Sequence, residues 1–557
     1  MDTPAELIDG SMSTPTLQDQ GNVMDPAPSP KRGYAFWMVF VANVVVDLLS
    51  ALDLTAVATA LPTIVSDLHG SDFIWATSAY SIASTAILPT VGGLVSCCGR
   101  KPVLLAFLLF FTAGSAISGA ARNMNMLIAG RAIQGLGGGG CISVTEIIYA
   151  DLIPLPERGK FIGITAAIWA LASVAGPPIG GALAGSGAWR WLFFLNLPLC
   201  GIAAVLIVVF LNVRAPKTDF RTRIAGMDWI GLSIIITGTM IFMLALTWGG
   251  ATYPWASVQV LLPLCLGTVA IIVFFYIEIF WIKNPTVPAF IITNRTTLSG
   301  YLATFFHGIA SMAAIYYLPV YFQACKTASP IQSGIDSFGI SFFIPIFSIL
   351  AGASVEVFNV YRPQNYVGWI MMIIGFGLLS MLEADSPRAH YIGFQTITGM
   401  GLGVVWIGPE FPILAPLPFS NNAHALAFYT FVRCFAQTWG TVIGGAVLQN
   451  VLSSRLPASF IASFPDRSQL AYTIIPEIPS LSQPLKTEVQ IAYAQSTAII
   501  WRVMIGVSGV GLLTCLLMKE VKMRKDMDEN WGLKERGKLD VDSENGVSEA
   551  LASPTEV

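Results

Sequence analysis

Apolar residues fall along this chain in long blocks rather than in alternation. A strand with one wet face alternates apolar and polar positions, and an amphipathic helix repeats about every 3.6 residues. Neither period governs here. The stretch WLFFLNLPLCGIAAVLIVVF at 191–210, for example, is apolar almost all round. A run of about 20 mostly apolar residues is what a helix needs to cross a bilayer. Fourteen such runs can be marked, at about 37–62, 74–95, 102–121, 125–149, 160–184, 191–212, 229–248, 256–281, 298–323, 332–353, 365–382, 390–415, 425–451 and 496–518. The eleventh is short, and the twelfth contains Glu410 and several prolines. The pattern predicts an all-α membrane protein with fourteen transmembrane helices.

The polar segments between these runs orient them. Cytoplasmic loops of membrane proteins carry an excess of Lys and Arg. Lys31 and Arg32 precede the first run, Arg100 and Lys101 follow the second, and Arg158 and Lys160 follow the fourth. Arg214, Lys217, Arg221 and Arg223 follow the sixth, and Lys519, Lys522, Arg524 and Lys525 follow the last. The alternate loops hold Arg122, Arg190, Lys326 and Arg388, mostly alone. Both termini are therefore expected in the cytoplasm. Asn294-Arg295-Thr296 fits an N-glycosylation pattern, but this topology puts it inside the cell and makes it a chance match.

Composition agrees. Of 557 residues, 54% are hydrophobic and 11% charged, against about 25% charged in soluble domains. A soluble chain of this length could not cover its surface so sparsely. The net charge of −3 and the lack of a dense basic tract give no case for nucleic acid. The eight cysteines show neither metal-ligand spacing nor a disulfide framework; the adjacent Cys97 and Cys98 read as small apolar fillers at a helix end. Residues 1–30 are polar and rich in Ser, Thr, Pro and Asp, as a disordered segment is. The first apolar run is too long for a signal peptide and carries no clear cleavage site. The tail after about residue 526 is polar, with Ser543, Ser548 and Ser553 as modification candidates.

Ionisable residues inside the membrane are costly and point to function. At 1.5 Å per residue, Asp53 lies about 13 Å below the outer end of the first helix, and Arg131 about 10 Å below the outer end of the fourth. Similar depth on different helices allows them to pair, and Gln134 shares the face of Arg131. Asp47 and Glu146 lie nearer the cytoplasmic side. Arg131 and Glu146 are about 22 Å apart along one helix and cannot bond each other. Arg433 and Gln437 share a face of the thirteenth helix, either as a clamp or as a substrate contact. Arg502 lies in the outer half of the fourteenth. His307, inside the ninth, fits a packed, hydrogen-bonded histidine better than a proton site. Glu278, Glu383 and Glu410 sit near helix ends and are expected to reach the interface.

The segment SVAGPPIGGAL at 173–183 sets helix breakers in an apolar run. Small residues let helix backbones approach closely in lipid, so Gly176, Gly180 and Gly181 are expected to form a flat face. Pro177 and Pro178 bend the helix. The tract GLGGGG at 135–140 matches a dinucleotide-binding pattern, but that site needs a preceding strand and this tract lies in a membrane helix. No Walker motif is present, and no His, Cys or Ser–His set suggests an enzyme.

Spacing carries a resemblance. GPPIGG at 176–181 resembles the antiporter motif that the major facilitator superfamily carries on its fifth helix. LDLTAVATALP at 52–62 resembles the first-helix signature of drug:proton antiporters, and GRAIQGLGGGG at 130–140 the fourth-helix motif. GGLVSCCGRK at 92–101 resembles the motif of the loop between helices two and three, with Gly92, Gly99, Arg100 and Lys101 in place. Ser96 stands where that motif has Asp, and Cys97 where it has a basic residue, so the latch attributed to that loop loses its charge. WRWLFFLNLP at 189–198, DWIGL at 228–232 and LTWGG at 246–250 resemble the fourteen-helix subfamily. YYLPVYFQA at 316–324 and FVRCFAQTWGTVIGGAVLQN at 431–450 are similar to its fungal members. The resemblance covers about residues 35–520.

It implies a major facilitator fold of two six-helix bundles plus two additional helices. The organisation expected is a cytoplasmic tail at 1–35, a first bundle at 36–212, a cytoplasmic loop at 213–228, two linker helices at 229–281, a second bundle at 282–518 with an extracellular loop at about 453–495, and a tail at 519–557. It further implies proton-coupled export of small organic compounds by a monomer, with no cofactor and a proton gradient as the energy source. The partners are then the small-molecule substrate, protons and the lipid bilayer. Asp53 would gain and lose the proton while Arg131 holds its charged form and Gln134 orients the pair. Gly176, Pro177, Gly180 and Gly181 would form the seam. Trp75, Trp169 and Phe305 would line an apolar cavity or merely pack. A vacuolar basic amino-acid carrier or uptake permease of the same fold, and a non-transporting sensor, are the alternatives; the plasma membrane is the expected location and the vacuolar membrane the alternative.

Overall fold

The computed structural model describes residues 32–68, 73–212, 225–250, 252–282, 285–461 and 474–523. Residues 1–31 of the expected tail, 213–224 of the loop after the sixth run, 462–473 of the long outward loop, and 524–557 lie outside these described residues.

The described chain is built of long helices. They are α1 (Tyr34–Asp67), α2 (Phe73–Cys98), α3 (Arg100–Gly119), α4 (Met124–Leu152), α5 (Leu155–Gly185) and α6 (Trp191–Phe210). Next come α7 (Trp229–Trp248) and α8 (Val258–Phe280). Then follow α9 (Arg295–Cys325), α10 (Phe338–Phe358), α11 (Arg362–Leu379), α12 (Arg388–Leu414), α13 (Asn422–Arg455) and α14 (Leu485–Thr514). Among the described residues, 11 helices are long and apolar enough to cross a membrane by length and composition. The others are α4, α11 and α13. Arg131, Gln134 and Glu146 dilute the apolar surface of α4, as Arg433 and Gln437 dilute that of α13.

Several ends differ from expectation. The first helix continues from 62 to Asp67, and the thirteenth runs from Asn422 to Arg455. α6 has a turn at Leu195 between Trp191–Phe194 and Asn196–Phe210. α12 breaks at Gly408-Pro409, after Arg388–Ile407, and ends in the short turn Glu410–Leu414. Pro409 has no N–H to donate to the helix ladder, and Gly408 beside it has low helix propensity; the break falls at this pair.

Side-chain caps fix several starts. Asn123 accepts from Met126 N at 2.9 Å ahead of α4, and Asp228 from Gly231 N at 2.8 Å ahead of α7. Asn294 accepts from Thr296 N at 2.9 Å ahead of α9. The Asn-Arg-Thr match is therefore a helix start, with its asparagine spent on the free N–H groups of the first turn.

Helices α1 to α6 pack on one another, as do α9 to α14; α7 and α8 pair with each other, and α7 packs against α2 and α13. Only 17% of the apolar span of α8 is buried, and Leu262, Ile272, Tyr276 and Phe280 point outward. An apolar surface of that extent is unsustainable in water and suits lipid. The two groups meet through α5 against α10 and α2 against α13.

The first described residues and the last share one face, called basal below. There Arg32 pairs with Glu157 at the start of α5, and Lys160 with Glu356 at the end of α10, at 2.7 Å. The C-terminal segment returns to the same face: Tyr361 Oη donates to Lys519 O at 2.6 Å and accepts from Val521 N at 3.0 Å. Burial holds the Tyr361 phenol above the usual tyrosine range.

Two expectations are corrected here. Glu278 and Glu410 do not reach the interface; both are buried. Glu278 accepts from Thr286 N at 3.2 Å and Val287 N at 3.4 Å, closing the connection after α8. Glu410 is folded inward by the break in α12 and meets a cation, described below. Glu383 is exposed.

Candidate functional site

Two helix contacts bring the central charges together. Gly114 of α3 lies against the backbone of Gln134, and Gly135 of α4 against the carbonyl of Tyr80. A Cβ on either glycine would collide with a neighbouring backbone, so α3, α4 and α2 approach as closely as helices can. This draws α4 into the centre of the first bundle.

Asp53 and Arg131 form an ion pair there, both side chains fully buried. Gln134 bridges them: its Oε1 accepts from Arg131 Nη1 at 2.6 Å, and its Nε2 donates to Asp53 Oδ1 at 2.8 Å. The amide also donates to Ser115 Oγ of α3 at 2.9 Å. Asn196, at the turn of α6, donates to Asp53 Oδ1 and to Ser115 Oγ, each at 3.3 Å. The Arg131 guanidinium lies over the Tyr80 ring, 4.6 Å from its centre. The carboxylate is thus held by an arginine, two amides and, through them, a hydroxyl. Sequence reasoning placed Asp53, Arg131 and Gln134 together. It missed Ser115, Asn196 and Tyr80. Asn196 carried a usable signal, being the one polar residue in LFFLNLPL.

The segment Gly176–Gly181 stands beside this site. α5 runs through both prolines without interruption. Gly176 abuts Thr55 Oγ1 and the Ala56 backbone on α1, two residues past Asp53. Thr55 Oγ1 itself donates to Ala51 O at 2.9 Å and reaches across to Ala172 O of α5 at 3.2 Å. Gly180 is buried one turn on. Gly181 departs from the expected flat face: it is exposed, with open space where a Cβ would stand. Five residues turn a helix by about 500°, so Gly181 cannot share the side of Gly176. The side chain of Pro177 lies outside the described residues.

The loop motif lies on the basal side. Gly92 of α2 touches the backbone of Ala423 and His424 at the start of α13. Ser96, one turn further along α2, is half-buried. Gly99 has φ of 88°, a left-handed conformation that glycine adopts without strain, and so joins α2 to α3. Arg100 makes a two-point pair with Asp151 of α4, at 2.7 and 3.2 Å, and both are buried. Lys101 donates to Val208 O at 2.6 Å and Asn212 Oδ1 at 3.1 Å, tying α3 to the end of α6.

Two further ion pairs cross between the helix groups. Arg158 of α5 meets Glu410 of α12 at 3.1 Å, and also donates to Ala150 O at 3.0 Å. Arg433 of α13 meets Glu146 of α4 at 3.2 Å. With Gly159 against Gly352 and Gly163 against Ile349, these contacts close the basal half. Residues 252 and 287 apart in sequence meet in these pairs, so no local pattern could announce them.

The remaining candidates fall as follows. His307 is buried, with Nε2 3.0 Å from Leu402 O and its ring edge-on to Trp406, as a packed histidine is. Arg433 adds Trp406 O at 3.3 Å and Tyr429 Oη to its partners. Gln437 and Trp169 are half-buried, on α13 and α5. Trp75 packs edge-on against Trp248 of α7, and Phe305 against Phe306.

Comparison with known proteins gives consistent findings. The family model described as Major Facilitator Superfamily matches residues 44–445. The chain is 36% identical over 535 residues to Efflux pump FUS6 of Gibberella fujikuroi, covering 94% of this chain and 96% of that protein. It is 36% identical over 550 residues to MFS-type efflux pump LUC4 of a Fusarium species, covering 96% of each. Among solved structures, the human organic anion transporter MFSD10 matches with a TM-score of 0.55 at 14% identity, covering 88% of this chain and 100% of that one. This last likeness bears on the fold alone.

Proposed function

The chain belongs to the major facilitator superfamily, and from that premise we propose that it exports small organic compounds in exchange for protons. Relatives named efflux pumps support the outward direction. The observation that carries proton exchange is the sealed Asp53–Arg131 pair. A buried ion pair contributes little net stability compared with apolar packing, so a membrane protein that keeps one uses it.

The basal face is the cytoplasmic one in this reading, with both termini there, fourteen spans and the plasma membrane as the location. The two helix groups rock about a site near the midplane. With the basal half closed, Asp53 is ionised and bound to Arg131. A proton arriving from outside cancels the attraction, frees Arg131 and its Gln134 bridge, and loosens α1 against α4. Because Thr55 is two residues from Asp53 and bonds α5, that movement passes to the Gly176 seam. Opening to the cytoplasm then releases the proton and admits solute. Solutes are small amphipathic or toxic organic compounds.

The test combines a sensitivity screen of a deletion strain against many toxic compounds with flux of the hits in proteoliposomes carrying the purified protein and a trapped pH dye. Export predicts that hits drive proton movement in the opposite direction. Solute flux without proton movement would remove the coupling, and no flux of any hit would favour a sensor.

A further inference from the structure

We propose that Arg433 is the site that receives the acid group of anionic solutes with an apolar body, the Glu146 carboxylate occupying that place when no solute is bound. This names a substrate class for the transport reading above and rests on it.

Solvent access separates this pair from the others inside the protein. The side chains of Asp53 and Arg131 are 0% exposed, and those of Arg158 and Glu410 are 3% and 6%. Arg433 and Glu146 are 12% and 19% exposed. Arg433 stands about 16 Å along α13 from its start at Asn422 on the basal side. A pair that served only to seal would be as dry as the two beside it.

The bonding is arranged for exchange. Arg433 reaches Glu146 through one contact of 3.2 Å, whereas Arg100 grips Asp151 at two points. The other oxygen of Glu146 accepts from Thr430 Oγ1 at 2.7 Å, so the carboxylate keeps a partner when it leaves the guanidinium. Arg433 keeps its own place without Glu146, donating to Trp406 O and Tyr429 Oη. Its guanidinium carbon lies 4.3 Å from the centre of the Tyr429 ring and 5.1 Å from that of Trp406. A planar cation fixed by a carbonyl, a phenol and two aromatic faces is built to accept a carboxylate. Those rings also offer an apolar wall to the rest of the solute, and the half-buried Gln437 one turn away offers an amide.

The pair joins α4 to α13, that is, one helix group to the other. A solute anion held by Arg433 therefore competes with a bond between the halves. Neutral and cationic compounds have nothing with which to displace Glu146. The class is then set by charge as well as by shape.

Binding of 1-pyrenebutyrate and its primary amide to the full-length protein in detergent, by fluorescence anisotropy without any gradient, tests this. The expected result is tighter binding of the acid than of the amide by the wild type. Glu146→Gln should tighten the acid about tenfold, the scale of removing one competing charge-assisted bond, and leave the amide unchanged. Arg433→Gln should equalise the two probes, and Arg433→Lys, which keeps the charge, should retain part of the preference. Thermal unfolding identifies the variants that are folded. An acid-to-amide ratio that is the same in wild type and Glu146→Gln, or no binding of either probe, overturns the proposal. Because no gradient is present, a failure here is distinct from a failure of proton coupling, which leaves this ratio intact.

Discussion

Arg158 and Glu410 meet at 3.1 Å between the two halves of the protein, with both side chains almost wholly out of solvent. Removing one partner from a buried pair costs about 3–5 kcal/mol because the other charge is stranded. A protein with two arrangements can escape that cost by adopting the one in which Arg158 is wet. Glu410→Gln is therefore expected to favour the state open at the basal face. A reporter cysteine at Ile349, which now packs against Gly163, should react with a maleimide several-fold faster in that variant. Unchanged reactivity with only a lowered melting temperature would make the pair a fixed brace.

The glycines at 176 and 181 should respond with opposite signs. A methyl group at 176 runs into Thr55 Oγ1 and the α1 backbone, where overpacking costs about 1–3 kcal/mol. At 181 nothing opposes it, and alanine gains about 0.5–1 kcal/mol over glycine in a helix. Thermal unfolding of Gly176→Ala and Gly181→Ala in the same detergent decides this. Equal shifts would mean that α1 and α5 do not meet as described.

The position of Ser96 makes a further case. Gly92 touches the first turn of α13, so residue 96, one turn on, stands beside that helix start. A helix N-terminus attracts negative charge by about 0.3–1 kcal/mol. Ser96→Asp should strengthen the basal closure and slow maleimide labelling at Ile349. Faster labelling would contradict the geometry.

What could be read before the fold was known follows from the kind of signal each feature leaves. Asp53 and Arg131 stand out because charges are rare in apolar runs, and helical rise puts them at one depth. Gln134 follows from its spacing to Arg131. Ser115 leaves no such mark, since a serine in a small-residue stretch of α3 looks like packing. Asn196 was visible as a lone amide, but nothing local says that the turn at Leu195 aims it at Asp53. In sequence, Glu410 beside prolines at a helix end resembles an interface residue; the break at Gly408-Pro409 turns it inward instead. Glu146 and Arg433 were each noticed, but their partnership depends on how two bundles close, which helical periodicity does not encode. Composition alone puts Gly181 on the face of Gly176, but its angular position on the helix excludes it.

The most direct test of the central claim is Asp53→Asn in proteoliposomes. Two fluxes of the same exported compound are compared: net export driven by an imposed pH gradient, and exchange of labelled for unlabelled compound with no gradient. Asparagine keeps the shape of the side chain and one accepting oxygen but cannot carry a proton. The account predicts that gradient-driven export falls to the level of empty vesicles while exchange persists. Export that still follows the pH gradient at the wild-type rate in this variant would contradict it.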